Sequence, residues 1–340
     1  MGSPSRSFAP PATVAGSASR LLFASETLRV GRFEIAPETP GFAEAGQMRQ
    51  AEFVFPRTSV WIEHADAPPF ATDATLATLY NGGEPYRRRA LDPDGDRCDW
   101  FAFAPGVLLD AVASVDPAIR ERPERPFRFR HAPVDGLALL AQRQVARRLR
   151  AGDAHDPLAI EETMLAVLRR IVAAAYAGRD MRRAVPARES GRRLASDVKA
   201  FALPRVDERL TLDRIARAVE VSPFHLCRRF KAETGCTLHG WLLEVRLRRS
   251  LERVADARSD LAAVALDFGF ATHSHFTTAF RRAFGTTPSA YRRQAAGLLP
   301  PQEDGRAAHS SRSAEPELSR RRPAAGLRAR RGVPRGRAAR

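Results

Sequence analysis

At 340 residues, 44% hydrophobic and 28% charged, the chain is long enough for two domains with separate cores and has the composition of an ordinary globular protein. Three cysteines, Cys98, Cys227 and Cys236, build neither a disulfide framework nor a C-x-x-C or Cys/His zinc pattern, and no apolar run approaches the ~18 residues that cross a bilayer. The net charge of +16 is unevenly placed: residues 1–190 carry +1, residues 191–296 carry +8 and residues 297–340 carry +7. A neutral first half joined to a basic second half fits a polyanion-binding module attached to another domain. Only Lys199 and Lys231 are lysines, so part of the basicity reflects a general preference for arginine.

Residues 1–19 are rich in Ser, Pro and Ala and lack the apolar core of a signal peptide, so a disordered arm and a cytoplasmic location are expected. From about Leu21 to Pro133 short segments alternate or run apolar: 52–55, 59–63, 75–80, 86–91, 98–103 and 127–130. Between them stand the turn signals Pro68-Pro69, Asn81-Gly-Gly83, Asp92-Pro-Asp-Gly95 and Pro105-Gly106, which predict a small antiparallel barrel or sandwich. His64 and His131 lack the His-x-His pattern of a metal-binding barrel, and no metal or cofactor is expected. Arg87-Arg-Arg89 reads as a solvated edge strand, with an anion site as the alternative. Trp61, Tyr80 and Trp100 are core residues or the lining of a small-molecule cavity.

Two amphipathic helices are predicted next, one with apolar residues at 137, 140, 141, 145 and 149, the other at 160, 164, 168, 171 and 175. Packing against the β-rich region and pairing with a second copy of the chain are both open for these faces. Residues 179–193, dense in charge with Gly and Pro, read as a linker.

Two helix-turn-helix patterns follow. In the first, residues 212–219 form a short helix, Glu220-Val221 a turn, and Ser222-Pro223 the N-cap and first-turn proline of a second helix. In the second, residues 261–267 form the first helix, 268–271 the turn, and Thr272 the cap. The pairs Leu226/Phe276, Phe230/Phe280, Lys231/Arg281, Gly235/Gly285 and Thr237/Thr287 all lie fifty residues apart. With Leu226 and Phe230 turned inward, Phe224, Cys227, Arg228 and Lys231 form an outward stripe; with Phe276, Phe280 and Phe284 inward, the matching stripe is Ser274, Thr277, Thr278 and Arg281. Guanidinium and small hydroxyl side chains on an α-helix suit the major groove of DNA. A long helix over residues 238–254 would hold the two motifs at fixed separation; a separation of roughly 34 Å would bring both recognition helices to one face of a duplex. The tail from Gly297 is arginine-rich and of low complexity, and is expected to be disordered.

These residues resemble the AraC/XylS transcriptional regulators over about 198–293. The resemblance rests on Leu226-x-x-x-Phe230-Lys231-x-x-x-Gly235, Trp241-x-x-x-x-Arg246-Leu247, Ala265-x-x-x-Gly269-Phe270, Ser274-His-Phe276, and Phe280-Arg-Arg-Ala-Phe-Gly285-x-x-Pro288-x-x-Tyr291-Arg292. It implies a multidomain α+β chain: an effector-binding or dimerisation domain over 20–178, of cupin-like β-barrel or sandwich type to about 134 and helical after, then an all-α DNA-binding domain over 194–296. The base-reading positions of that family fall on Phe224, Cys227 and Arg228 in the first recognition helix and on His273, Ser274, Thr277 and Thr278 in the second. Lys231, Arg229, Arg281 and Arg282 are the expected phosphate contacts. Thr278 stands where the family often has a basic residue, and Ser250 where it usually has Ala. The resemblance implies double-stranded DNA as partner, with RNA polymerase, a small-molecule effector and a second copy of the chain as further candidates. Two other readings are weaker: a non-specific architectural DNA binder, and a DNA-repair alkyltransferase, for which Cys98 supplies no nucleophile or metal motif.

Overall fold

Alternating apolar residues build the first half. The computed structural model describes residues 16–44, 46–65, 67–153, 156–183 and 189–296. Its strands are β1 (Ala18–Ala24), β2 (Leu28–Ile35), β3 (Gly46–Gln47), β4 (Glu52–Pro56), β5 (Val60–His64), β6 (Ala67–Ala71), β7 (Leu76–Tyr80), β8 (Pro85–Ala90), β9 (Asp96–Phe103) and, after helix α1 (Pro105–Ala113), β10 (His131–Pro133). Helices α2 (Gly136–Ala151) and α3 (Pro157–Arg183) complete this half; α4 (Glu189–Ala202), α5 (Leu212–Ala218), α6 (Pro223–Thr234), α7 (Leu238–Ala255), α8 (Leu261–Asp267), α9 (His273–Phe284) and α10 (Pro288–Ala295) form the other. Among the described residues no helix is long and apolar enough to cross a membrane. Of the arm expected over 1–19, residues 1–15 lie outside the described residues, as does the tail over 297–340; Ala18 and Ser19 belong instead to β1, paired with Glu34 and Phe33 of β2.

The strands pair antiparallel in two sheets, ordered β1-β2-β9-β4-β7-β10 and β3-β8-β5-β6. Ile35, Val54, Val60, Ile62, Tyr80, Tyr86, Cys98 and Trp100 meet between the sheets. Phe53, Phe55, Phe101 and Phe103 leave the opposite face of the larger sheet and pack with α1, α2 and α3. Strands covered on both sides are buried throughout, as β4 and β7 are.

Four readings of the sequence change here. Pro68 and Pro69 do not make a turn; they lie in β6, an edge strand, where the missing N–H groups interrupt no ladder. Pro105 opens α1 rather than a turn, because its fixed φ suits the first helical residue. Residues 127–130 form no strand. Asn81 holds Phe127 there instead: its Nδ2 donates to the Phe127 carbonyl at 2.9 Å and its Oδ1 accepts from the Phe127 N–H at 2.9 Å. Arg87-Arg-Arg89 does lie at an edge, since β3 pairs only with Pro85 and Tyr86, but the stretch is solvated on one face alone. The two-residue period of the strand turns Arg88 inward, where Asp96 lies 3.4 Å away, while Arg87 and Arg89 point outward.

The apolar stripes of α2 and α3 are spent inside the fold except at Leu137, which is 45% exposed. Leu140, Val145, Leu149, Ile160, Met164, Leu168 and Ile171 are buried in the core shared with the larger sheet, so these residues offer no free face to a second chain. The same core continues into Leu247, Leu251, Val264, Phe276, Phe280 and Phe284. At the junction a Cβ on Gly136 would lie 2.0 Å from the Ala283 carbonyl oxygen, so the close approach of α2 to α9 requires glycine there. The segment read as a linker is entered by helix from both sides, to Arg183 and from Glu189.

Asp73, fully buried at the end of the β-rich half, accepts from Lys199 Nζ on α4 at 2.8 Å and from Trp241 Nε1 on α7 at 3.3 Å. Burial alone would raise its carboxyl, but Lys199 and hydrogen bonds from Thr75 overcome that and hold it at about 2, against an ordinary 3.8. A depressed carboxylate stabilises the fold fully above its unfolded value and loses the contribution as pH falls through the folded one. Stability should therefore drop by about 2 kcal/mol from this group as pH falls from about 5 to below 2. Urea denaturation across that range should show the slope in the parent protein and a shallower one in Asp73→Asn; equal slopes would remove Asp73 from the contact.

Candidate nucleic-acid interface

Each helix of the second pairings begins on a side-chain oxygen. Thr211 accepts from the Arg214 N–H at 3.2 Å, Ser222 from His225 at 3.3 Å, Thr237 from Gly240 at 3.1 Å, Thr272 from His275 at 3.1 Å and Thr287 from Ala290 at 3.2 Å. Asp260 accepts from both Ala262 and Ala263. Such caps satisfy N–H groups that a helix start leaves open and fix where it begins. Gly235 and Gly285 close α6 and α9 in the left-handed conformation at φ 80° and 71°.

The repeat has two offsets. Helices α5 and α8 start 49 residues apart and α6 and α9 start 50 apart, because the second turn is one residue longer. Each turn bends at a left-handed residue, Glu220 at φ 55° and Gly269 at φ 74°, and then returns an N–H to the first helix, Val221 to Ala216 and Phe270 to Ala265, both at 3.0 Å. Glycine is needed at the second turn for a further reason: a Cβ on Gly269 would lie 2.8 Å from the Arg246 guanidinium carbon.

Leu226 and Phe230 are buried under α6, as Phe276, Phe280 and Phe284 are under α9. Outward, Phe224, Cys227, Arg228 and Lys231 are exposed on α6 and His273, Ser274, Thr278, Arg281 and Arg282 on α9. Phe224 is 77% exposed, so it does not pack on its own first helix. Arg229 is half-buried at the edge of the stripe. Thr277 is half-buried as well, and its hydroxyl oxygen is covered by protein with no hydrogen-bond partner among the described residues. Sequence α9 contains no acidic residue, and α6 has only the half-buried Glu233 near its end. Both faces are therefore electropositive, and the α2 contact touches α9 at Ala283, away from the stripe.

Arg246 is the residue whose role the sequence pattern did not disclose. From α7 its Nε donates to the Val206 carbonyl at 2.7 Å, its Nη2 to Glu208 at 2.6 Å and its Nη1 to Gly269 at 3.1 Å. It thus ties the approach to the first helix pair to the turn of the second. The available signal was its place in Trp241-x-x-x-x-Arg246, five residues past the tryptophan that closes the core of the first pair. Ser250, at the position where alanine is usual, is buried and returns its hydroxyl to Leu247 at 2.8 Å, so the extra oxygen has a partner.

Two capped helix pairs on one spacer helix, joined to a two-sheet domain, have the architecture of a helix-turn-helix protein. The helix-turn-helix domain family matches residues 215–294, from within α5 into α10. The chain is 32% identical over 94 residues to the probable transcription factor PqrA of Proteus vulgaris, covering 28% of this chain and 75% of PqrA. It is 33% identical over 100 residues to the right origin-binding protein of Escherichia coli K12, covering 28% of this chain and 35% of that protein. An AraC-type transcriptional regulator structure from Chromobacterium violaceum is 28% identical, over 32% of this chain and 97% of that one, with a TM-score of 0.30. The chain belongs to the AraC/XylS family of transcriptional regulators. Of the first curated relatives it matches, it spans about a third of the length.

The two turns make a prediction of opposite signs. Glu220→Gly should stabilise the protein by about 0.5–1 kcal/mol, since a left-handed non-glycine residue is strained. Gly269→Ala should destabilise by about 1–3 kcal/mol, because it adds that strain and displaces Arg246. Chemical denaturation of the two variants decides it, and changes of the same sign would contradict the geometry.

Proposed function

We propose that this protein is a sequence-specific transcription regulator that lays α6 and α9 in two successive major-groove segments of one DNA duplex. One observation carries the reading: two exposed, cationic helix faces are each backed by a buried apolar row, Leu226 and Phe230 under α6 and Phe276, Phe280 and Phe284 under α9, and are tied to the same helix α7. Phe224, Cys227 and Arg228 read bases from α6, and His273, Ser274, Thr277 and Thr278 from α9; Thr277 reaches DNA with its hydroxyl only after a side-chain rotation. Lys231, Arg229, Arg281 and Arg282 hold phosphates, helped by the free N–H groups at the two helix starts. The segment over 194–296 does the reading, and the segment over 20–178 controls it by binding an effector or by self-association, through differential affinity for two states. RNA polymerase is the further partner such a regulator addresses.

Alkyl transfer is not supported. Burial pushes the Cys98 thiol well above its ordinary range, the opposite of what a nucleophile needs. Two built reading faces also speak against a purely architectural binder.

Arg228→Ala should weaken binding to a cognate site by about 1–3 kcal/mol and relax preference at one base pair. Competition titrations on cognate and scrambled duplexes measure this, and an equal loss on both would reassign Arg228 to phosphate.

A further inference from the structure

A cavity of about 50 Å³ lies between the two sheets, room for roughly three to five water-sized groups. Glu52 from β4 and Asp96 from β9 both line it. Glu52 is 2% exposed, and its Oε1 has no hydrogen-bond partner among the described residues. Burial pushes its carboxyl up to about 8, and Gln50 offsets only part of that. Asp96 is also raised by burial, although Arg88 Nη1 stands 3.4 Å away. The same guanidinium is shared, its Nη2 donating to the Tyr86 hydroxyl at 2.6 Å. Desolvation raises both carboxyls, so a cation entering beside Glu52 would favour its charged form, as Arg88 does for Asp96.

The walls suit a cation. Phe33, Tyr80, Tyr86 and Trp100 line the cavity, the two tyrosine rings 4.9 Å apart, and aromatic faces attract ammonium groups. Arg88 already uses this property, sitting 4.7 Å over the Phe33 ring. Glu52 is the acceptor left without such a partner. An anionic ligand would meet two carboxyls and no uncommitted cation among the lining residues.

We propose that the cavity between the sheets binds a small organic amine as its ammonium ion, paired with Glu52 and Asp96 and packed against Tyr80 and Trp100. This rests on the reading of the β-rich half as an effector domain and adds the charge class of the effector. The strands that hold the ammonium also reach α7. Asp99, facing away from the cavity on β9, takes Arg57 at 2.7 Å, and Arg57, just past β4, pairs with Glu252 on α7. A shift of β4 against β9 on binding is thereby passed to the helix that spaces the DNA-reading faces.

The test uses the full chain. Ethylammonium and ethanolammonium chlorides are titrated by calorimetry and thermal unfolding against ethanol, ethylene glycol and sodium acetate. The amines are expected to bind and to raise Tm with concentration, and the neutral and anionic compounds of similar size are not. Glu52→Gln, close to isosteric, and Asp96→Asn should each weaken amine binding by about tenfold or more, roughly the worth of one charge-assisted contact. Equal stabilisation by ethanol or ethylene glycol, no binding of either amine, or amine binding undiminished in a folded variant would overturn the proposal. DNA footprints of the same preparations are read in parallel: a specific footprint without an amine response sinks the amine assignment alone, and the absence of any specific footprint sinks the regulator reading.

Discussion

Arg246 directs three nitrogens at backbone carbonyls before the first helix pair and in the turn of the second, and the geometry of the helical half depends on it. Two helix pairs with separate cores would otherwise be joined by α7 alone. Hydrogen bonds from a charged group are stronger than neutral ones, and the two to the Val206 and Gly269 carbonyls are partly shielded from solvent. The clamp therefore converts a helical spacer into a fixed one. Gly269 follows from it, since any larger residue would occupy the space of the guanidinium.

Neighbouring residues of α7 extend the same logic to the β-rich half. Arg248 Nη1 and Nη2 donate to the Ala74 and Val134 carbonyls at 3.0 and 2.7 Å, and Arg249 Nη2 lies 2.8 Å from Asp92. Helix α7 thus meets α6, α9 and the sheet domain. The strands that meet it are two-faced: Glu52, Val54, Asp96, Cys98 and Trp100 point between the sheets, while Arg57 and Asp99 point toward the helices. The cavity between the sheets and the ion pairs that reach α7 share the same two strands.

Much of this was legible in the sequence, for definite reasons. Helices α6 and α9 announce themselves because a Ser or Thr cap, an inward apolar residue every fourth position and a closing glycine must coincide, and they do so twice. Strands β4, β5, β7, β8 and β9 were legible by their apolar runs and turns. Strands β1 and β2 were not. Ala18–Ala24 is largely exposed, and Leu28–Ile35 interleaves Arg29, Arg32 and Glu34 with its apolar residues, so neither shows a clean period. Prolines misled twice, in β6 and α1, because their meaning depends on edge or first-turn position, which the sequence does not print. The interface was legible as a stripe, but the covered hydroxyl of Thr277 was not, because its burial depends on packing around the helix. The Arg246 clamp and the carboxyls between the sheets stayed hidden for a common reason: they join residues far apart in the chain, and periodicity carries no such information.

The central claim is that one chain holds two reading helices at a spacing set by α7. Hydroxyl-radical footprinting on a genomic site bound by the full chain tests it most directly. The account predicts two protected segments about one helical turn apart on one face of the duplex, with the protection at the α6 segment weakened by Arg228→Ala and that at the α9 segment retained. A single protected segment, or two on opposite faces, would contradict it.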